Sequence, residues 1–228
     1  MPGYVIHMAT ANRFFRLCGI EDDVYKNDFI IGSIAPDVKR GNDKKISHFW
    51  SDYAMGSFVR RPELKDFTVK YGERLSEPYV FGFYCHLLLD VRFLDVYWKQ
   101  HFQFFDENMH PEAVYDKVKF VKLDDKDIYD RNIFFSPQLY YGDYNRMNRY
   151  YIEKYEVMHI KPNAPSSVID EVNPVAEIET IGQMLDNAFL KNEESDEEPK
   201  VFCKTDLDEL IESTAEIIAE IYYNDIKK

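Results

Sequence analysis

The stretch 78-PYVFGFYCHLLLDVR-92 decides the fold. From Tyr79 to Leu89 nearly every residue is apolar, so a helix formed here would be apolar on all sides. Such a helix lies at the centre of a core and not on its surface. The run is too short to span a bilayer and Asp90 follows it at once, so we expect no transmembrane segment. The sequence predicts a central buried helix that begins at Pro78 and extends to about Phe105.

Further helical patterns flank this central stretch. Apolar residues recur at helical spacing over approximately 4–18, 21–34, 62–75, 137–156, 174–191 and 205–226. Glycine (9) and proline (10) are scarce, which disfavours an all-β fold with many turns. The charged run 192-NEESDEEPK-200 is typical of a solvated loop. We therefore predict one all-α, multi-helix domain over residues 1–228, built around the central helix, with an acidic loop near 192–200.

Charge and cysteine content restrict the function classes. The formal net charge is −13 and no cluster of Lys and Arg exceeds Arg60-Arg61. Phosphate contacts need clustered basic residues, so we expect no nucleic-acid partner. The three cysteines are far apart, which indicates neither a disulfide framework nor a thiolate zinc site. The first residues lack the features of a signal peptide, so we expect a cytoplasmic protein. The oligomeric state stays open.

His86 and Asp90 are the first candidates for chemistry. They lie four residues apart on one face of the central helix, with the small residue Gly82 one turn earlier. A carboxylate buried among leucines is unfavourable unless a cation or hydrogen bonds compensate. A metal ion would satisfy both side chains, because imidazole and carboxylate are good zinc ligands. A His–Asp hydrogen bond in the core, or pairing of Asp90 with Arg92 or Arg13, would also explain the pair.

Three further residues extend this pair into an ordered set. Taken singly, His7 is explained as a core histidine, Asp37 as a turn residue and His48 as part of an aromatic patch. In chain order, however, the set resembles the zinc-dependent phospholipase C family. The resemblance is carried by His7, 32-GSIAPD-37, 47-SHF-49 and Gly82-x3-His86-x3-Asp90, and it covers approximately the first hundred residues.

The resemblance implies an all-helical protein that holds up to three zinc ions in a cleft. By that likeness, Asp37, His48 and His86 would bind one zinc ion. Asp90 would bridge it to a second zinc ion that His7 also binds. The terminal amine completes the second site in the secreted relatives, so Met1, or Pro2 after removal of Met1, would have to supply it here.

A third zinc ion in the family uses a further histidine and a His-x3-Glu pair. No His-x3-Glu occurs in this chain. His101 and His110 follow the central helix but do not fall at the expected spacing, so they are better explained as residues of a helix end and a loop. We therefore expect one or two Zn²⁺ ions, with the third site lost or rebuilt.

Such a site suits phosphoester hydrolysis. Two zinc ions about 3.5–4 Å apart can share a hydroxide made available near neutral pH, and they stabilise charge on the phosphoryl oxygens. Asp37, as a ligand or as a base, is the candidate catalytic residue that would position the water. The leading expectation is a zinc-dependent hydrolase of a small-molecule or lipid phosphoester, similar to phospholipase C. The alternative is a non-catalytic helical binding or scaffold protein with a vestigial or structural metal site.

Overall fold

The centre of the protein lies where α2 (Asp23–Ile34) packs along α5 (Pro78–Arg92). The computed structural model describes residues 2–39, 43–50, 61–114, 117–124, 127–190 and 197–227. Pro78 stands in the first turn of α5, where its missing N–H removes no helical hydrogen bond. From Tyr79 to Val91 the residues of α5 are buried, with Tyr84 partly so. The predicted central buried helix is confirmed.

Two glycines let α2 and α5 approach backbone to backbone. A Cβ on Gly32 would lie 2.1 Å from the carbonyl oxygen of Tyr79. A Cβ on Gly82 would lie 2.1 Å from the carbonyl oxygen of Phe29. Both distances are far shorter than van der Waals contact, so only glycine fits at either position. The crossing brings the end of α2 against the second half of α5, where the candidate site forms.

Other helices pack around this pair. Helix α1 (Tyr4–Cys18) contacts α2, α5, α8 and α10, and it ends at Gly19, whose φ of 62° is left-handed. The remaining helical elements are a 3₁₀ turn (Ala35–Val38), α3 (Asp43–Ser47), α4 (Leu64–Tyr71), a 3₁₀ turn (Gly72–Arg74), α7 (Arg131–Phe134), α8 (Tyr140–Lys154), α9 (Pro174–Leu190), α10 (Lys204–Ile221) and a π-helical end (Tyr222–Ile226). The described chain is mostly helical, as the all-α prediction requires.

The central helix ends earlier than predicted. A π-helical stretch (Phe93–Trp98) and a last turn, α6 (Lys99–His101), lead into strand β1 (Phe102–Phe105). Strand β1 pairs antiparallel with β2 (Phe120–Leu123), with Phe102 opposite Leu123, and β2 pairs antiparallel with β3 (Ile128–Asp130). The prediction of helix up to Phe105 is therefore wrong for these four residues. Three of the four are phenylalanines, which fit a pleated, half-buried surface well.

The C-terminal segment is tied to the core by a buried carboxylate. Asp143 of α8 accepts hydrogen bonds from the backbone N–H groups of Lys200, Val201 and Phe202, and one from the guanidinium of Arg146. Residues 191–196 of the predicted acidic loop lie outside the described residues, so that loop stays a prediction. Among the helices that the structure describes, none is both long and apolar enough to cross a membrane.

Candidate metal centre

The structure brings all five predicted ligands together inside the core. They come from different elements and form what we call the His/Asp cluster: His7 of α1, Asp37 of the 3₁₀ turn after α2, His48 directly after α3, and His86 and Asp90 of α5. The Asp37 side chain is 15% exposed, and the other four are at most 1% exposed. Two carboxylates at this depth call for compensating positive charge.

The rings of His48 and His86 face each other through their Nε2 atoms, which lie 3.3 Å apart. The Nδ1 of His86 is 2.8 Å from the carbonyl oxygen of Ser33. The Nδ1 of His48 is 3.1 Å from the carbonyl oxygen of Lys44. Because a carbonyl oxygen only accepts, we assign the ring proton of each neutral imidazole to Nδ1. Both Nε2 atoms then present lone pairs to the space between them, which is how metal-binding histidines are commonly oriented.

Two carboxylate oxygens complete this first group. The Oδ1 of Asp37 lies 3.5 Å from Nε2 of His48. The Oδ2 of Asp90 lies 3.4 Å from Nε2 of His86 and 3.8 Å from Nε2 of His48. Ligand atoms around a tetrahedral zinc ion with bonds of about 2.0–2.1 Å stand about 3.3–3.4 Å apart. The separations of these four atoms therefore fit a tetrahedral ion of that size.

His7, His86 and Asp90 form a second group whose ligand atoms lie within 4.8 Å of one another. The Nε2 of His7 is 3.6 Å from Oδ1 of Asp90, the carboxylate oxygen that the first group does not use. The ring of His7 also stacks on the ring of His86, with centroids 3.9 Å apart. Within the described part of the chain, neither nitrogen of His7 and neither oxygen of Asp90 has a hydrogen-bond partner. Each such buried atom costs about 1–3 kcal/mol unless something satisfies it.

The histidines differ in how readily they accept a proton. Burial lowers the pKa of His7 to about 3 and also lowers the pKa of His48, so both rings are neutral at ordinary pH. Burial acts in the same direction on His86, but the carboxylate of Asp90 outweighs it and raises the pKa of His86. His86 is therefore the ring on which the cluster favours a positive charge.

The two carboxyl groups remain ionised. Burial alone would raise the pKa of Asp37, but the ammonium of Lys44 and a hydrogen bond with His48 hold it well below its usual range. Burial opposes ionisation of Asp90 as well, and the nearby His86 lowers the pKa of that carboxyl below its ordinary value. The cluster thus offers two carboxylates and imidazole lone pairs, which is a ligand set suited to zinc.

A small cavity adjoins the second group. It is lined by His7, Thr10, Ser33, Cys85 and His86 among others, and the space open to the centre of a water molecule is about 10 Å³. That volume is just enough for one water, which needs polar partners to stay. The unpartnered Nδ1 of His7 is one polar atom of the ring that lines it.

The histidines considered for a third zinc ion pair with other groups. His101 lies between Asp124 and Asp206, at 2.9 and 2.8 Å. His110 is exposed and lies 3.5 Å from Asp106. Among the described residues, neither histidine belongs to a candidate metal group. Met1, considered as the source of the terminal amine, lies outside the described residues.

Two contributors escaped the sequence patterns, namely the backbone carbonyls of Ser33 and Lys44. A carbonyl has no residue type, so a motif search for side chains does not find it. Lys44 does carry one signal, because it stands four residues before His48, the spacing of neighbours on a helix.

No family model, curated protein or solved structure matches the chain. The interpretation of the His/Asp cluster therefore rests on its geometry and on the order of its residues in the sequence.

Proposed function

We propose that the protein is a zinc-dependent hydrolase of a phosphoester, similar in kind to phospholipase C, with its metal bound by the His/Asp cluster. The observation that carries the proposal is the orientation of Asp90. Its Oδ2 faces His86 and His48, whereas its Oδ1 faces His7. A carboxylate with one oxygen toward each of two ligand groups supports a pair of ions that share a bridge, as in many phosphoester hydrolases.

Each residue of the cluster has a role in this proposal. Asp37, His48 and His86 would hold the first zinc ion. Asp90 would bridge it to the second, to which His7 contributes. The hydrogen bonds from Nδ1 of His48 and of His86 to backbone carbonyls fix each ring with its lone pair toward the ion.

When bound, the zinc pair supplies a Lewis acid and a water molecule of lowered pKa for in-line attack at phosphorus. Of the two roles expected for Asp37, the structure favours the ligand role. The pKa of Asp37 is held well below its usual range, and a carboxylate with so low a pKa is a weak general base near neutral pH. The exposed edge of Asp37 is also the side from which a substrate could reach the cluster, since the other four side chains are at most 1% exposed.

A second function has one observation in its favour. Four protein ligands around the first ion would close its coordination shell, and closed shells are typical of structural zinc. The deep burial of His48, His86 and Asp90 fits such a site. The protein would then be a helical binding or scaffold protein whose metal only stabilises the fold.

Metal analysis and a hydrolysis assay separate the two functions. We expect the purified, zinc-reconstituted chain to hold one to two equivalents of zinc and to hydrolyse a chromogenic phosphodiester or phosphocholine ester. His86→Ala should stay folded and lose both properties. The exposed His110→Ala should keep both, as a matched histidine control. Absence of zinc after reconstitution would overturn the proposal. Bound zinc that stabilises the fold, with no hydrolysis of either ester, would establish the second function instead.

A further inference from the structure

Lys44 is a cation in direct contact with the His/Asp cluster. Its Nζ lies 2.8 Å from Oδ1 of Asp37, the same oxygen that faces Nε2 of His48. The side chain of Lys44 is 28% exposed and that of Asp37 is 15% exposed. The two therefore lie where the otherwise buried cluster meets the surface of the described structure.

The position of Lys44 is fixed by its own backbone. Its carbonyl oxygen accepts a hydrogen bond from the backbone N–H of His48 and lies 3.1 Å from the Nδ1 of the same residue. One residue thus orients a cluster histidine through its carbonyl and contacts a cluster carboxylate through its ammonium. The ammonium is therefore held beside the cluster by contacts at both ends of the residue.

The charge at this edge differs from that of the whole chain. The formal net charge is −13, which repels an anionic substrate at long range. Lys39, in the turn before α3, pairs with Glu177 at 2.9 Å, so its charge is already compensated. Lys44 instead shares its partner Asp37 with the proposed zinc ion. Once zinc neutralises that carboxylate, the ammonium can stabilise a further anion.

We propose that Lys44 binds an ionised phosphoryl oxygen of the substrate, an inference that rests on the proposed function. An ammonium has three N–H donors, and Asp37 accepts one of them. Lysine is a common point-charge partner of phosphate groups in proteins. The substrate class that follows is a phosphoester with an ionised, accessible oxygen, held between the metal and Lys44. A neutral ester would lack the charge that this contact recognises.

Phosphate binding tests this role without relying on turnover. The zinc-reconstituted full chain is titrated with inorganic phosphate by calorimetry, and zinc content is measured on the same samples. Lys44→Met keeps the carbonyl and removes the ammonium, so we expect phosphate affinity to fall at least tenfold with zinc content unchanged. Lys44→Arg should recover most of the affinity. Lys45→Met, the adjacent residue of α3, should stay within twofold of the unaltered chain. Circular dichroism confirms folding, and Lys44→Gln replaces Lys44→Met if that variant unfolds.

Each other outcome overturns the inference in a distinct way. Unchanged phosphate affinity in Lys44→Met would show that the ammonium only neutralises Asp37. Loss of zinc from the same variant would show that Lys44 positions a metal ligand and not the substrate. Zinc binding without any phosphate binding by the unaltered chain would remove the anion site and leave the metal centre standing. A chain that takes up no zinc would overturn the proposed function as well.

Discussion

The Nε2 atoms of His48 and His86 lie 3.3 Å apart, while the Nδ1 of each ring faces a backbone carbonyl oxygen. Two imidazole lone pairs at that distance repel each other unless a cation lies between them. A single proton could join the two nitrogens. It would still leave the oxygens of Asp90 and the ring of His7 without hydrogen-bond partners among the described residues. A metal ion satisfies more of these atoms at once.

Removing His7 should reduce the number of bound ions without emptying the cluster. His7 faces only the Oδ1 side of Asp90, so the first group keeps its four ligand atoms in His7→Ala. We expect zinc stoichiometry to fall from two to one in that variant. His48→Ala should weaken the first ion at least tenfold, as measured by competition with a chromogenic chelator. Equal stoichiometry in His7→Ala and in a parent that binds two ions would exclude His7 as a ligand.

Chelation should destabilise the protein through the cluster. A ligand present at 1,000 times its Kd stabilises the native state by about 4 kcal/mol. For a chain of this size each kcal/mol shifts Tm by about 2–4 °C, so removing zinc should lower Tm by roughly 8–16 °C. Calorimetry with and without chelator measures the difference. His86→Ala should have a Tm that the chelator does not change, and a parent equally insensitive to chelator would contradict this prediction.

Gly82→Ala should destabilise the helix crossing. The added methyl group would lie 2.1 Å from the carbonyl oxygen of Phe29, which belongs to a backbone and cannot rotate away. Overpacking of this kind costs about 1–3 kcal/mol, sometimes more. Urea unfolding monitored by circular dichroism gives the free energy of unfolding. Gly72→Ala is the matched control, since nothing lies within 4 Å of its Cβ position, and it should be neutral or mildly stabilising.

Asp143→Ala should be among the more damaging substitutions outside the cluster. The fully buried carboxylate accepts N–H groups from three consecutive residues, which would lose their acceptor together. Unsatisfied buried donors cost about 1–3 kcal/mol each, so we expect a loss of at least about 3 kcal/mol in urea unfolding. Glu216→Ala, at an exposed position of α10, should change stability little. A comparable effect of both variants would contradict the role given to Asp143.

The sequence predicted the helical frame better than it predicted the chain after it. Helical spacing of apolar residues located α5 closely, because a helix records its own burial in neighbouring residues. Strand β1 escaped because its pairing partner β2 lies fifteen residues or more along the chain, and Phe102–Phe105 continues an apolar helical pattern without a break. A strand depends on a remote partner that local periodicity does not show.

The candidate site divides in the same way. His86 and Asp90 were predictable as neighbours, since four residues of helix set their spacing. That His7, Asp37 and His48 join them was expected from the order of the motifs alone. The carbonyl of Ser33 and both ends of Lys44 were not foreseen, because they act through contacts between separate elements.

The glycine contacts between α2 and α5 make the cluster a stiff gauge of ion size. Side chains can adjust by rotating, but two backbones already touching at Gly32 and Gly82 cannot come closer. The Ser33 carbonyl that orients His86 follows directly on Gly32, so the position of that ring is set when the helices dock and not when an ion arrives. A frame of this kind suits ligand distances of about 2.0–2.1 Å, as for zinc. It should discriminate against calcium, which needs more oxygen ligands at about 2.3–2.6 Å.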